Sequence, residues 1–185
     1  IRNIFNKNFT ANAYVEYKIT PGLTLRISGG ISTNTARTEQ FYDSLTQRGA
    51  SSQSFNGGIA NPQGSVLIAQ SNTWINDNQL TYDKSFSGGH HLNVIGVVEE
   101  QVYTNFATGF SANNIPFPVL GIGDLYQGTV TSFQYPSTSN RLASFLGRVN
   151  YDYKSRYYLT ASFREDGSSK FASGHRWGFF PSAAF

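Results

Sequence analysis

The feature that most constrains the fold is an unbroken alternation of apolar and polar residues from Phe9 to Ile19. Successive side chains of a β-strand point to opposite faces, so this period of two predicts a strand with one apolar and one polar side. Pro21 and Gly22 follow where a type II turn requires them, and the alternation then resumes from Leu23 to about Ser32. This part of the chain is therefore predicted to be a β-hairpin.

Two more hairpins are predicted farther along the chain, each with a short turn. Their arms and turns lie at residues 73–86 and 91–103 around Ser87-Gly88-Gly89-His90, and at residues 143–153 and 157–164 around Lys154-Ser155. A seventh strand is expected from Trp177 onward. It should bulge or break early at Pro181, because proline cannot donate a hydrogen bond to a neighbouring strand. The sequence therefore predicts about seven antiparallel strands.

The connections between these strands alternate between tight and long. Polar stretches at residues 33–72 and 104–140, and a shorter one at residues 166–175, separate the hairpins. Outer-membrane barrels have short periplasmic turns and long extracellular loops, whereas a soluble β-sandwich has no reason to sort its connections by length. We therefore expect the three tight turns to share one end of the sheet and the three longer loops to lie at the other.

The composition also favours an antiparallel transmembrane β-barrel. Charged residues make up 14% of the chain, against roughly 25% in soluble domains, while aromatic residues make up 15%. No apolar run approaches the roughly 18 residues of a membrane-spanning helix, and aromatic residues crowd the predicted strand ends, as in the interfacial girdles of barrels. Lys and Arg are scattered, which argues against nucleic-acid binding, and the absence of cysteine excludes disulfides.

In a membrane barrel the apolar side of each strand faces lipid and the polar side faces the lumen. The predicted lipid-facing positions include Val15, Ile27, Phe145 and Ala161. The predicted lumen-facing positions include Asn12, Arg26, Ser144 and Thr160. No segment has a convincing helical period, so no helix is expected to cover the apolar face. The isolated chain is therefore expected not to fold stably in water.

The last part of the chain carries a family resemblance. The stretches Phe145–Lys154, Tyr158–Arg164, Asp166–Phe171 and Arg176–Ser182 closely resemble the barrel of SusC/RagA-type TonB-linked outer-membrane proteins. Residues 78–84 and 91–94, in the preceding predicted hairpin, look like the corresponding hairpin of the same family. The resemblance covers most of the predicted strands and none of the long loops.

This resemblance implies a barrel of about 22 strands that is filled by an N-terminal plug and energised through the TonB complex. It further implies a location in the bacterial outer membrane, a SusD-like surface lipoprotein as partner, and import of oligosaccharides, glycans or peptides. Residues 1–185 would form a partial barrel domain. Since the chain contains no methionine and begins without a signal-like stretch, it is expected to be an internal piece, with the plug, the signal peptide and the remaining strands outside it.

Several charged residues fall on the predicted polar faces. They are Glu16, Arg26, Arg148, Asp152 and Arg164. They could contact substrate or plug, or they could be paired internally, as the charges of any wet barrel interior ordinarily are. Asp166-Gly167-Ser168 is expected to form a structural turn, because Asp-Gly favours turns.

Catalytic, metal and cofactor sites are not expected. His90 and His91 are adjacent, so on a strand they would point to opposite faces and could not bind one ion, and His175 stands alone in the sequence. Gly121-Ile122-Gly123 lacks the rest of a dinucleotide-binding motif and is expected to be loop. No nucleophile triad or local carboxylate pair stands out, which argues against an enzyme.

Aromatic residues in the long stretches leave two interpretations open. Those considered are Phe41, Tyr42, Phe106, Phe110, Phe117 and Tyr126. They could stack on sugar rings, or they could pack the loops against each other or a partner, and no substrate-binding residue is assigned. The alternative to an importer is a secreted or surface all-β module that binds glycans or proteins through such aromatic loops.

Overall fold

The computed structural model describes residues 1–46, 48–49 and 61–185. Within these residues the chain forms eight strands and one 3₁₀ helix, Pro118–Gln127. The strands are β1 (Arg2–Thr20), β2 (Leu23–Tyr42), β3 (Gln63–Phe86), β4 (His90–Asn113), β5 (Thr129–Gln134), β6 (Ser137–Tyr153), β7 (Tyr157–Ser168) and β8 (Trp177–Ala184). They form one antiparallel sheet in the order β1-β2-β3-β4-β6-β7-β8, with β5 paired to β4. The predicted all-β class is confirmed.

Two compact units can be distinguished along the strands. The hairpin unit comprises residues 10–32, 73–103 and 139–185, and the loop unit comprises residues 1–9, 33–72 and 104–138. In the described part of the chain, no helix is long and apolar enough to cross a membrane.

The three tight turns lie side by side at one edge of the hairpin unit. Gly22 has φ +88°, as the third position of a type II turn requires, and its carbonyl accepts the Asp83 N–H at 2.7 Å. The Gly89 carbonyl likewise accepts the Lys154 N–H at 2.6 Å. Each turn is thus bonded to the neighbouring hairpin, and the prediction that the tight turns share one end of the sheet is confirmed.

Strand pairing in the hairpin unit keeps apolar and polar side chains on opposite faces. Val149 pairs with Ala161, and Asn150 pairs with Thr160, in an unbroken β6–β7 register. On the apolar face the rings of Phe145 and Trp177 stack 5.9 Å apart. Because paired residues of antiparallel strands point to the same side, the predicted two-faced pattern is confirmed for this hairpin.

The first hairpin shows the same separation. Arg26 lies over the Tyr14 ring, 4.1 Å from its centroid, and the hydroxyls of Thr10 and Ser32 are 3.1 Å apart. These even-numbered residues share the polar face. Val15, on the other face, leaves 70% of its surface exposed.

The strands extend well beyond the alternating segments that predicted them. β2 is 20 residues long, and β3 and β4 are 24 residues each. The expectation of continuous loops at residues 33–72 and 104–140 was therefore wrong, since β2, β3, β4, β5 and β6 occupy much of both. Backbone pairing does not require apolar residues, so alternation marks the part of a strand with an apolar face and misses its polar continuation.

Two local expectations in the last hairpin were also wrong. Gly167 lies inside β7, paired with Ala143 and Trp177, and not in a turn. A Cβ atom at Gly167 would come within 2.7 Å of the Trp177 ring, so glycine is required here for close packing. Pro181 pairs with Phe163 without a register shift. In the described sheet β8 has a neighbour on one side only, where a proline is tolerated if its nitrogen faces the unpaired side.

The loop unit contains a small apolar core that the sequence analysis did not anticipate. Phe41, Ala112, Ile115 and Leu125 are all buried and in contact, with Leu125 supplied by the 3₁₀ helix. Residues 121–123 belong to that helix rather than to an irregular loop, although Gly121 interrupts it with φ +59°. This helix packs within the loop unit and does not contradict the expectation that no helix covers the lipid-facing side of the hairpins. Sequence analysis did not find it, because helix periodicity cannot be recognised in so short a 3₁₀ segment.

Asp124 holds the 3₁₀ helix in place. Its side chain is fully buried, and its two carboxylate oxygens accept the Phe117 N–H at 2.9 Å and the Gln127 Nε2–H at 2.7 Å. Asp124→Ala should leave the Phe117 N–H unpaired and leave Gln127 Nε2 with its bond to the Tyr126 hydroxyl alone, at a cost of about 1–3 kcal/mol to this segment. In the intact protein, we expect faster amide hydrogen exchange at residues 115–128, with residues 143–165 unchanged. If Asp124→Ala did not raise the exchange rate at residues 115–128 above that of the wild type, this role would be contradicted.

Candidate functional site

The polar face of the hairpin unit carries a hydrogen-bonded network near the tight turns. His91 lies between two carboxylates, with Nδ1 2.9 Å from Asp152 Oδ2 and Nε2 3.2 Å from Asp83 Oδ1. Asn93 donates to Asp83 Oδ2 at 2.7 Å and accepts from Asn150 Nδ2 at 3.3 Å. The hydrogen bonds of this network join side chains of β3, β4 and β6. The network therefore stabilises this face and leaves few of its own donors unpaired.

His90 points to the opposite, apolar face. Its Nδ1 is 2.6 Å from the Tyr151 hydroxyl, and its ring centroid is 4.7 Å from that of Tyr153, which in turn stacks with Tyr157 at 6.4 Å. The predicted divergence of His90 and His91 is therefore confirmed. Among the described residues, no three His, Asp or Glu side chains are arranged to hold a metal ion.

Three of the five charged residues predicted on the polar face have close partners. Arg26 lies on Tyr14, Asp152 contacts His91, and Arg164 binds both carboxylate oxygens of Asp166 through Nε, at 2.8 and 2.9 Å. Arg164 Nη2 also donates to Ser144 at 3.2 Å. Glu16 and Arg148 lie on the same face. Internal pairing of charges describes Asp152 and Arg164, whereas Arg26 stacks on an aromatic ring. Asp83 and His91 were not predicted as partners, although the period of two puts both on this face.

The loop unit contains a polar pocket of about 370 Å³. Its hydrogen-bonding side chains come from β2, β3, β4, β5 and the turn that follows β2: Gln40, Tyr42, Arg48, Gln63, Ser65, Ser111, Asn113 and Thr131. The Arg48 guanidinium lies 5.1 Å from the Tyr42 ring centroid and donates to the Tyr42 hydroxyl at 3.1 Å. Gln63 Nε2 donates to the Arg48 carbonyl at 2.6 Å, so strand and turn are joined.

The aromatic residues of the long stretches divide between the two interpretations. Phe41 is buried in the apolar core, where Phe110 packs against it, and the Phe106 ring lies 6.5 Å from that of Tyr135. Tyr42 lines the polar pocket. Phe117 and Tyr126 are exposed. Three of the six aromatic residues, Phe41, Phe106 and Phe110, therefore pack against other side chains. Of all six, Tyr42 is the residue that lies among a set of hydrogen-bonding groups.

Comparison with known proteins provides the identification. No protein-family model matches the chain. The TonB-dependent receptor P3 of Formosa agariphila is 31% identical over 179 residues, which cover 95% of this chain and 17% of that receptor. The TonB-dependent receptor SusC of Bacteroides thetaiotaomicron is 50% identical over 48 residues, or 26% of this chain and 5% of that receptor. The chain is a homologue of the SusC-type TonB-dependent receptors.

The fold agrees with this assignment. In the solved structure of the RagAB peptide transporter, a chain matches 98% of this SusC-type chain with a TM-score of 0.84 at 20% identity, over 20% of its own length. The TonB-dependent receptors that it matches make this chain an outer-membrane protein. The chain spans 17% of the length of the P3 receptor. Its matched relatives are named as receptors and a transporter rather than as enzymes. In such a barrel the apolar face contacts lipid and the polar face lines the lumen.

Proposed function

We propose that this SusC-type segment forms part of the barrel wall of a TonB-dependent importer of oligosaccharides or peptides. The observation that carries the proposal is a two-faced antiparallel sheet whose sequence matches a TonB-dependent receptor over 95% of the chain. Large solutes do not cross a lipid bilayer, and a wall that is polar on one side and apolar on the other separates a wet passage from lipid.

The polar face is suited to a structural part of that passage. His91 already contacts both Asp83 and Asp152, so a passing solute would have to compete with these bonds. A wall of this kind supports passage without holding the solute tightly. We assign energy coupling through TonB to regions of such receptors beyond the stretch matched here, and capture at the cell surface to a SusD-like lipoprotein partner.

Uptake by living cells tests the proposal. A strain that lacks the gene for the intact receptor should lose uptake of at least one of two fluorescent pools, oligosaccharides or peptides, and plasmid expression of the receptor should restore it. Collapse of the proton-motive force should abolish the restored uptake, because TonB-dependent transport requires that energy.

The control is a porin substrate small enough to diffuse, such as glucose, whose outer-membrane passage should be unaffected by the deletion. Uptake of both pools that is independent of the gene and of the proton-motive force would contradict the proposal. Surface retention without uptake would favour the binding-module alternative.

A further inference from the structure

We propose that the polar pocket of the loop unit is a binding subsite for a neutral oligosaccharide. The inference rests on the proposed import function and goes beyond it by naming a ligand class and the residues that contact the ligand. Three observations carry it: the way the strands present the side chains, the rigidity of the wall behind them, and the chemistry of the lining.

Three neighbouring strands each present two polar side chains at alternate positions. Gln40 and Tyr42 come from β2, Gln63 and Ser65 from β3, and Ser111 and Asn113 from β4. Residues two apart on a strand share a face, and these strands are adjacent in the sheet. The result is a grid of hydrogen-bonding groups fixed by backbone pairing, which suits a ligand that has a hydroxyl group every few ångströms.

The wall behind the pocket is rigid because the opposite face of the same strands is packed. Gly64 lies between Gln63 and Ser65, and a Cβ atom there would come 2.9 Å from the Gln40 carbonyl and 3.0 Å from Leu125 Cδ1. Ala112, between Ser111 and Asn113, is 1% exposed in the apolar core. A backbone held in this way needs little rearrangement when a ligand binds, which favours affinity.

The lining chemistry favours a neutral, hydroxyl-rich ligand. Amides and hydroxyls predominate, and of the described residues that line the pocket Arg48 alone carries a charge. That guanidinium already lies on Tyr42 and donates to its hydroxyl, yet it has further N–H donors for neutral oxygen acceptors. Amides and hydroxyls both donate and accept, as sugar hydroxyls do. Among the described lining residues, an apolar side chain of a peptide would meet chiefly the Tyr42 ring, because Gly64 and Ala112 turn to the packed face behind the wall.

Binding to the purified intact receptor in detergent tests the proposal. The probes are neutral oligosaccharides from partial hydrolysis of starch, xylan and mannan, acidic oligosaccharides from pectin, and a tryptic digest of casein. Tyr42→Ala and Gln63→Ala should each weaken binding of a neutral probe about tenfold, as expected when about 1.4 kcal/mol of contact is lost. Tyr42→Phe, which keeps the ring, should weaken it less than Tyr42→Ala.

The matched control is Asn34→Ala. Asn34 lies in the same unit and donates to Asn8 at 2.6 Å, but it does not line the pocket, so its loss should leave affinity unchanged. Barrel integrity is checked for every variant by gel mobility without boiling. Affinity for acidic probes or peptides alone, affinity for none of the probes, or equal affinity in wild type, Tyr42→Ala and Gln63→Ala overturns the proposal. Energised uptake that persists in those cases leaves the importer function standing, whereas loss of gene-dependent uptake contradicts the function itself.

Discussion

Expressed alone in aqueous buffer, residues 1–185 should aggregate and show no cooperative unfolding transition. Large apolar side chains of the lipid-facing side stand open to solvent, with Val15 at 70% and Phe179 at 62% exposure. Within the described sheet, β1 and β8 each have a neighbour on one side only, so their outer backbone groups are available to pair with another chain. An exposed apolar patch and two open edges together favour association over folding.

The comparison that matters is with the intact receptor in detergent. In the proposed importer, further strands would pair with β1 and β8 and detergent would cover the apolar face, so chemical denaturation should give a single cooperative transition. Light scattering and circular dichroism of both samples would measure the contrast. A soluble, monomeric form of residues 1–185 with a sharp two-state melt would contradict the membrane assignment and favour the binding-module alternative.

Val98→Arg should destabilise the intact receptor by about 2–4 kcal/mol if the site lies near the bilayer midplane. Val98 follows Val94 and Gly96 on the apolar face of β4 and is 48% exposed. Val98 lies eight residues after His90, where β4 starts next to a tight turn, so we expect it to lie inside the membrane. An arginine there loses its hydration without gaining a partner.

Val97 offers a control of the same residue type one position away. It lies on the polar face with His91 and Asn93, and Glu99 is two residues farther along that face. Val97→Arg should therefore cost far less than Val98→Arg, because its charge meets water and a carboxylate. Urea unfolding of both variants in lipid bilayers measures the difference. Equal losses of stability would contradict the assignment of the two faces.

The fold class and the tight turns could be predicted because their causes are local. Alternation along β1 and β7 reflects two solvents on two sides of one strand. Gly22, with φ +88°, occupies a turn position that few other residues tolerate. Signals of this kind depend on neighbouring residues, and the family resemblance reinforced them through stretches such as Phe145–Lys154.

The ends of β2, β3 and β4 and the 3₁₀ helix could not be predicted because their causes are not local. Polar continuations such as Thr33–Gln40 pair through their backbone and have no apolar face to mark them. The 3₁₀ helix is held by Asp124 and by the contact of Leu125 with residues far away in sequence. Asp166-Gly167 was predicted to be a turn from its residue types. The residues next to Gly167 in the sequence do not indicate that the Trp177 ring packs on it.

The polar pocket was missed for the same reason. Sequence analysis singled out Tyr42 alone among the residues that line the pocket, because the lining residues come together only when β2, β3 and β4 pair. Tyr42 was considered as a sugar-stacking residue, but so were Phe41 and Phe110, which are core residues. The sequence does place Tyr42 two residues after Gln40, which would put both side chains on the same face of a strand. This spacing becomes informative only once β2 is known to extend to Tyr42.

The strand order bears on how such a wall is assembled. Every strand on the path β1-β2-β3-β4-β6-β7-β8 pairs with the strand next to it in the chain, apart from the short detour through β5. Each strand therefore finds its partner in a segment of the chain made shortly before or after it. Hairpins can be added one after another in the order of synthesis, each presenting a fresh row of N–H and C=O groups to the next. The open edge that promotes aggregation in water is, during insertion, the template on which the barrel grows.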